Sequence, residues 1–117
     1  MKRRIIGIDV GKNGGIVVYD TEYDKLVHCI KMPPTPKDLL DFLSTYKENS
    51  VCYLERVNGM TGQSASASFV FGEGYGQITM GLIACGIPTV TVSPQIWQKA
   101  LGLRNTDKLS KTEWKNI

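Results

Sequence analysis

Ile5-Ile6-Gly7-Ile8-Asp9-Val10-Gly11 is a short apolar run that ends on one carboxylate, and Val51-Cys52-Tyr53-Leu54-Glu55-Arg56-Val57 repeats that arrangement further along the chain. Runs rich in β-branched residues read as central strands whose side chains all face protein. An acid at the C-terminal tip of such a strand is well placed for function, because ligands of open α/β sheets sit beyond those ends. Two tips side by side bring Asp9 and Glu55 together. At about 4 Å and an effective dielectric of about 20 their repulsion is about 4 kcal/mol. Unless one of them stays protonated, the pair calls for a cation, and a divalent-metal site is expected. Taken singly, Asp9 also reads as a turn-capping aspartate before Gly11, and Glu55 as a surface partner of Arg56. Their joint placement favours the metal.

Working outward from the first run, Gly11-Lys12-Asn13-Gly14-Gly15 reads as a tight reversal, since Asn-Gly-Gly supplies positive φ angles. Residues 4–10, 16–19 and 26–31 then form a three-strand antiparallel meander. Thr35-Pro36 opens a helix with a capping hydroxyl and a proline at the first helical position. Leu39, Leu40, Leu43 and Tyr46 give it a buried face. The strand 50–55 enters parallel to the first after this crossover. A polar loop, 58–64, follows Glu55, and a long helix is expected over 66–85.

That helix holds Gly72, Gly74, Gly76 and Gly81, at about 1 kcal/mol each against alanine. Close approach of another helix or of a ligand backbone is the usual compensation. Glycines 72, 76 and 81 are expected to share one side and to meet a copy of the helix. A broken helix with a loop in its middle is the alternative. Residues 87–92 form the fifth strand, with proline allowed at its start, and Ser93-Pro94 caps a short helix. Ser110-Lys111-Thr112-Glu113 has the form of a capping box, about one turn before Ile117. The C-terminal helix is therefore expected to be cut short, and the domain over 1–117 to be incomplete.

A chain of 117 residues is large enough for one core and not for two. With 42% hydrophobic and 21% charged residues it has the composition of an ordinary globular protein. The net charge of +3 does not by itself argue for nucleic acid. Lysines and arginines do crowd Lys2-Arg3-Arg4 and the stretch after Gln98. The three cysteines form no Cys-x-x-Cys pair, which fits a reducing cytosol, and all three sit in apolar runs as expected core residues. No apolar run approaches the ~20 residues of a membrane span, and no signal peptide opens the chain, so a cytoplasmic protein without a membrane partner is expected. His28 and Cys29 are strand neighbours pointing to opposite faces, so they make no nucleophile–base pair. His28 is expected at the surface or a strand edge.

The element order β-β-β-α-β-α-β-α is that of the ribonuclease H-like fold, an α/β mixed sheet with flanking helices. Within it stand Ile6-Gly7-Ile8-Asp9-Val10-Gly11, the glycine-rich hairpin, Leu54-Glu55-Arg56-Val57, Phe69-Val70-Phe71-Gly72-Glu73-Gly74-Tyr75-Gly76 and Val92-Ser93-Pro94-Gln95-Ile96-Trp97-Gln98-Lys99. In this order the set resembles the RuvC-like Holliday-junction resolvases, nearest to their small phage and bacterial members, over essentially the whole chain.

The resemblance implies a Mg²⁺-dependent endonuclease (Mn²⁺ as a substitute), with two ions in the complete site. It also implies cleavage of branched DNA by a homodimer in a bacterial or phage-infected cell. Asp9 matches the first catalytic acid and metal ligand, Glu55 the second. The family's last two acids, or an acid and a histidine, lie on a C-terminal helix, and nothing here matches that motif. Asp107 and Glu113 fall too early. This chain alone is therefore expected to bind junctions weakly and cut them poorly.

Magnesium accepts hard oxygen ligands from few carboxylates, with water and phosphate completing the shell. Two such ions activate a water and stabilise the departing oxygen. Gln63, Ser64 and Ser66 offer amide and hydroxyl groups of the kind that contact phosphates, with Lys108 and Lys111 extending that DNA-binding surface. Met60 lies where the family inserts an apolar side chain at the junction centre. Trp97 reads as core, and Phe69, Phe71 and Tyr75 as core or dimer contacts. Two other functions remain open. One is the nucleotide-binding half of an actin-like or sugar-kinase ATPase, with Lys12 and Asn13 towards the phosphates. The other is a non-catalytic DNA-binding relative.

Overall fold

A computed structural model describes residues 3–11, 13–55 and 64–93. They form β1 (Arg4–Asp9), β2 (Gly15–Asp20), β3 (Lys25–Lys31), α1 (Pro36–Thr45), β4 (Ser50–Glu55), α2 (Ala65–Ala84) and β5 (Thr89–Val92). The five strands make one sheet in the order β3-β2-β1-β4-β5. β1, β2 and β3 pair antiparallel. β4 runs parallel to β1, and β5 parallel to β4. This is the mixed sheet expected from the sequence, with β1 at its centre.

One face of that sheet carries the core. Ile6 and Ile8 of β1, Ile16 and Val18 of β2, and Cys52 and Leu54 of β4 alternate inward, as a period of two requires. They meet Leu39 and Leu43 of α1, Tyr46 at its C-cap, and Ile78 and Leu82 of α2. Leu43 is fully buried at the centre of this layer, and truncating such a leucine to alanine costs about 2–5 kcal/mol. The opposite face is more open than continuous apolar runs imply. Val17 and Tyr53 there are 40% and 42% exposed among the described residues. So β1 and β4 behave as alternating strands and not as strands buried on both sides.

Thr35 caps α1, its hydroxyl accepting from the Asp38 amide at 3.1 Å, and Pro36 takes the first helical position. Leu39, Leu43 and Tyr46 are buried as expected, whereas Leu40 turns to solvent. Ser64 caps α2 in the same way, accepting from the Ala67 amide at 3.1 Å. α2 runs unbroken for 20 residues, so its glycines do not interrupt it.

Nor do those glycines share one side. A Cβ on Gly81 would meet Leu43 Cδ1 at 3.2 Å, where α2 crosses α1, but one on Gly72, Gly74 or Gly76 would meet nothing within 4 Å. Residues 72 and 81 are nine apart, which at about 3.6 residues per turn is two and a half turns and places them on opposite sides. Gly86, with φ +67°, ends the helix. Its amide reaches Ile83 O and the Ile87 amide reaches Leu82 O, both at 3.0 Å, closing the last turn in a Schellman-type stop.

Cys52 is buried and Cys85 half-buried, but Cys29 is exposed on the edge strand β3. It pairs with Val17 and shares the open face, which corrects its expected place in the core. His28, its neighbour, lies on that edge strand, with its ring edge-on to Phe42 and Tyr46 at centroid distances of 5.8 and 5.7 Å. Among the described residues no helix is long and apolar enough to cross a membrane.

Candidate metal and nucleic-acid site

The ladder between β1 and β4 ends at the register pair Ile8–Leu54. Asp9 and Glu55 are the next residues on each strand, and both strands stop there. Adjacent strands lie about 4.8 Å apart. The two acids therefore occupy neighbouring tips, and alternation sends both to the sheet face opposite Ile8 and Leu54. Each is half-buried.

The turn after Asp9 is drawn tightly over the strand end. Gly11 takes φ +126°, the Gly14 amide donates to Gly11 O at 3.0 Å, and the Met32 amide donates to Gly14 O at 3.1 Å. A Cβ on Gly14 would overlap the Asp9 carbonyl oxygen, and one on Gly15 would stand 2.6 Å from Ile30 O. Both positions need glycine for close backbone approach. Sequence reading assigns this stretch to a reversal but does not reveal that Gly14 closes onto Asp9 itself.

At the other side of the tip lies the first turn of α2. Ser64 and Ser66 stand there, exposed, with their hydroxyls 3.4 Å apart. Backbone amides at a helix start, joined by hydroxyls, suit an anion. Gln63, Lys108 and Lys111, along with Met60, Trp97 and Lys12, lie outside the described residues.

The donor set fits a hard divalent ion. Two carboxylates on adjacent tips could supply oxygen ligands, with positions left for water and phosphate, as magnesium prefers. Among the described residues no cluster of three or more histidine, cysteine, aspartate or glutamate side chains exists. The pair could hold one ion, and a second would need oxygen donors from elsewhere.

A cavity of about 620 Å³ opens beside the tip, and it was not legible in the sequence. Val10 and Gly11, directly after Asp9, form one end; the Met32–Thr35 linker forms a second wall and α2 a third. The two prolines of that linker are its only local signal.

A mixed five-stranded sheet of this order, with two acids at the tips of its central parallel pair, defines an α/β protein of the ribonuclease H-like type. Among solved structures the chain is similar to Thermus thermophilus RuvC in complex with a Holliday junction substrate. The TM-score is 0.64 at 18% identity, covering 84% of this chain and 69% of that one. A second Thermus thermophilus RuvC structure gives a TM-score of 0.56 at 18% identity, over 94% and 74% of the two chains. No family model and no curated protein sequence matches. The chain has the fold of these resolvase structures.

Proposed function

We propose that this chain is a metal-dependent, structure-selective endonuclease that hydrolyses phosphodiesters in branched DNA. The observation that carries this reading is the pair Asp9 and Glu55, one step beyond the last register pair of adjacent parallel strands. Their oxygens would hold Mg²⁺ or Mn²⁺, which when bound polarises the phosphate and lowers the pKa of a coordinated water. The hairpin around Gly14 fixes the backbone of Asp9, and the β-ladder fixes that of Glu55. The capped start of α2, with Ser64 and Ser66, offers amides and hydroxyls to a neighbouring phosphate. Gln63, Lys108 and Lys111 are proposed to extend that contact. The likeness to a RuvC bound to a Holliday junction supports a branched substrate. Action inside a bacterial or phage-infected cell is part of this proposal.

A homodimer is the second part of the proposal. α2 carries apolar residues well beyond the side that meets the core, and Phe69, Met80 and Ile83 are 70%, 62% and 71% exposed. With Gly72 and Gly76, whose Cβ positions face open space, they make one stripe at spacings of three or four. A second copy of α2 laid along that stripe would bury it.

Asp9→Asn tests the chemistry. In a complete version of the domain, cleavage of a four-way junction in Mg²⁺ should vanish while junction binding by anisotropy stays near wild type. A mutant that cuts normally would remove Asp9 from the site. Stabilisation by ATP but not by junction DNA would instead support the nucleotide-binding reading.

A further inference from the structure

We propose that the cavity beside the Asp9 tip is a nucleobase pocket, which takes an unstacked base of the bound strand and favours bases carrying an exocyclic amine. This rests on the DNA reading above and adds a specificity site to it.

The cavity lies on the helical side of the β1 tip, whereas Asp9 and Glu55 face the other side. A strand crossing the tip with its phosphate at the acids would thus present a base about one or two nucleotides away, at roughly 3.4 Å of rise each. At about 620 Å³ the cavity falls within the range of about 300–1,000 Å³ typical of ligand pockets.

Its chemistry selects a base over a phosphate. None of its lining residues is a lysine, arginine or histidine, and most of its wall is apolar. Phe71 supplies an aromatic surface and lies against Gly11, where an added Cβ would be 3.7 Å from its ring. Pro33, Leu39 and Ile78 complete an apolar slot.

Ser66, Glu73 and Gln77 line this slot from one side of α2, and Thr35 adds a hydroxyl from the linker. Glu73 and Gln77 are four residues apart, hence one turn apart and adjacent. Among the described residues neither makes a hydrogen bond or ion pair, so their polar ends remain available. A carboxylate only accepts hydrogen bonds, and an amide both donates and accepts. Together they match the amine of cytosine or adenine next to a ring nitrogen. Thymine has no exocyclic amine, and its single donor on that edge, N3–H, is flanked by two carbonyl oxygens that would lie against the Glu73 carboxylate. Flipped bases are read in this manner, by their pairing edge between apolar walls.

Gly74 gives a test that does not depend on damaging the fold. It lines the cavity, and a Cβ there meets nothing within 4 Å, so Gly74→Leu fills the space while improving helix propensity. The probe is a four-way junction with 2-aminopurine, which carries an exocyclic amine, placed in turn at positions flanking the branch, with the full chain in EDTA. Wild type should raise the fluorescence at one position. Gly74→Leu should abolish that rise, keep its circular dichroism and linear-duplex binding, and weaken junction binding about tenfold, within the range of one lost base–aromatic stack. Glu73→Gln should keep the rise but reduce the preference for cytosine over thymine at that position about tenfold.

If wild type binds junctions and Gly74→Leu leaves the fluorescence unchanged, the pocket assignment fails and the DNA reading stands. If wild type binds no junction, both fail. If Gly74→Leu instead disrupts self-association with fluorescence intact, the cavity belongs to the contact between copies and the base assignment is overturned.

Discussion

A Cβ at Gly14 would overlap the Asp9 carbonyl oxygen, whereas one at Gly74 would enter open space within a helix. The same substitution should therefore act with opposite signs. Gly14→Ala must push the hairpin off the β1 tip, at about 1–3 kcal/mol of overpacking strain. Gly74→Ala should gain up to about 1 kcal/mol of helix propensity. Thermal unfolding at equal protein concentration checks both, and a Gly14→Ala melting temperature at or above wild type would contradict the hairpin geometry.

Cys52 gives a prediction in pH. Burial pushes its thiol from an ordinary 9.0 up to about 12. Because the folded value lies above the unfolded one, its contribution is complete below about pH 9 and is lost as pH rises from there towards 12. Denaturant titrations should show stability falling above pH 9, and Cys52→Ala should flatten that fall. Thiol reagents at pH 8 should label exposed Cys29 and spare Cys52 in the folded chain. Rapid labelling of Cys52 there would show that it is not buried.

At the scale of elements, α2 holds two different surfaces. One side, with Tyr75, Ile78, Gly81 and Leu82, packs into the core or against its edge, and Gly81 is small because Leu43 of α1 comes to 3.2 Å from where its Cβ would be. The other side exposes Phe69, Met80 and Ile83 around Gly72 and Gly76. A double change, Met80→Asp with Ile83→Asp, should shift sedimentation to monomer while leaving the helical signal intact. Each side chain withdraws about 1.5–3 kcal/mol of burial from the interface. Unchanged sedimentation in the double variant, with wild type a dimer, would place the interface elsewhere. Sequence reading found this helix and the need to explain its glycines. It put Gly72, Gly76 and Gly81 on one side, because spacing read in steps of three to five ignores the accumulated phase of the 3.6-residue turn.

Across the whole molecule, the legible part was whatever depends on local pattern. Ile6 and Ile8, Ile16 and Val18, Cys52 and Leu54 announced their strands, and Thr35-Pro36 the start of α1, whereas the Ser64 cap of α2 was read as the end of a loop. The crossover between β1 and β4 set those strands parallel, which put Asp9 beside Glu55. The cavity was hidden because it needs three distant segments, the Gly11 turn, the Met32–Thr35 linker and α2, to converge, and no spacing within one segment records that. Cys29 was misplaced because an apolar run does not say whether its strand is at an edge.

The juxtaposition of Asp9 and Glu55 is a property of the folded sheet alone, since the unfolded chain does not hold residues so distant in sequence together. An ion that needs both carboxylates must therefore bind the folded state and stabilise it. With Mg²⁺ at about ten times its dissociation constant the gain is about 1.4 kcal/mol, and for a domain of this size that raises the melting temperature by roughly 5 °C. Chelation should remove the increment, and Na⁺ at matched ionic strength should not restore it. In Asp9→Asn the shift should shrink to that of the Na⁺ control, because one remaining carboxylate binds Mg²⁺ no better than any surface glutamate. Glu55→Gln should behave alike. A Mg²⁺ shift of equal size in wild type and both variants would show that the ion sits elsewhere on the protein, and that the two strand tips do not share it.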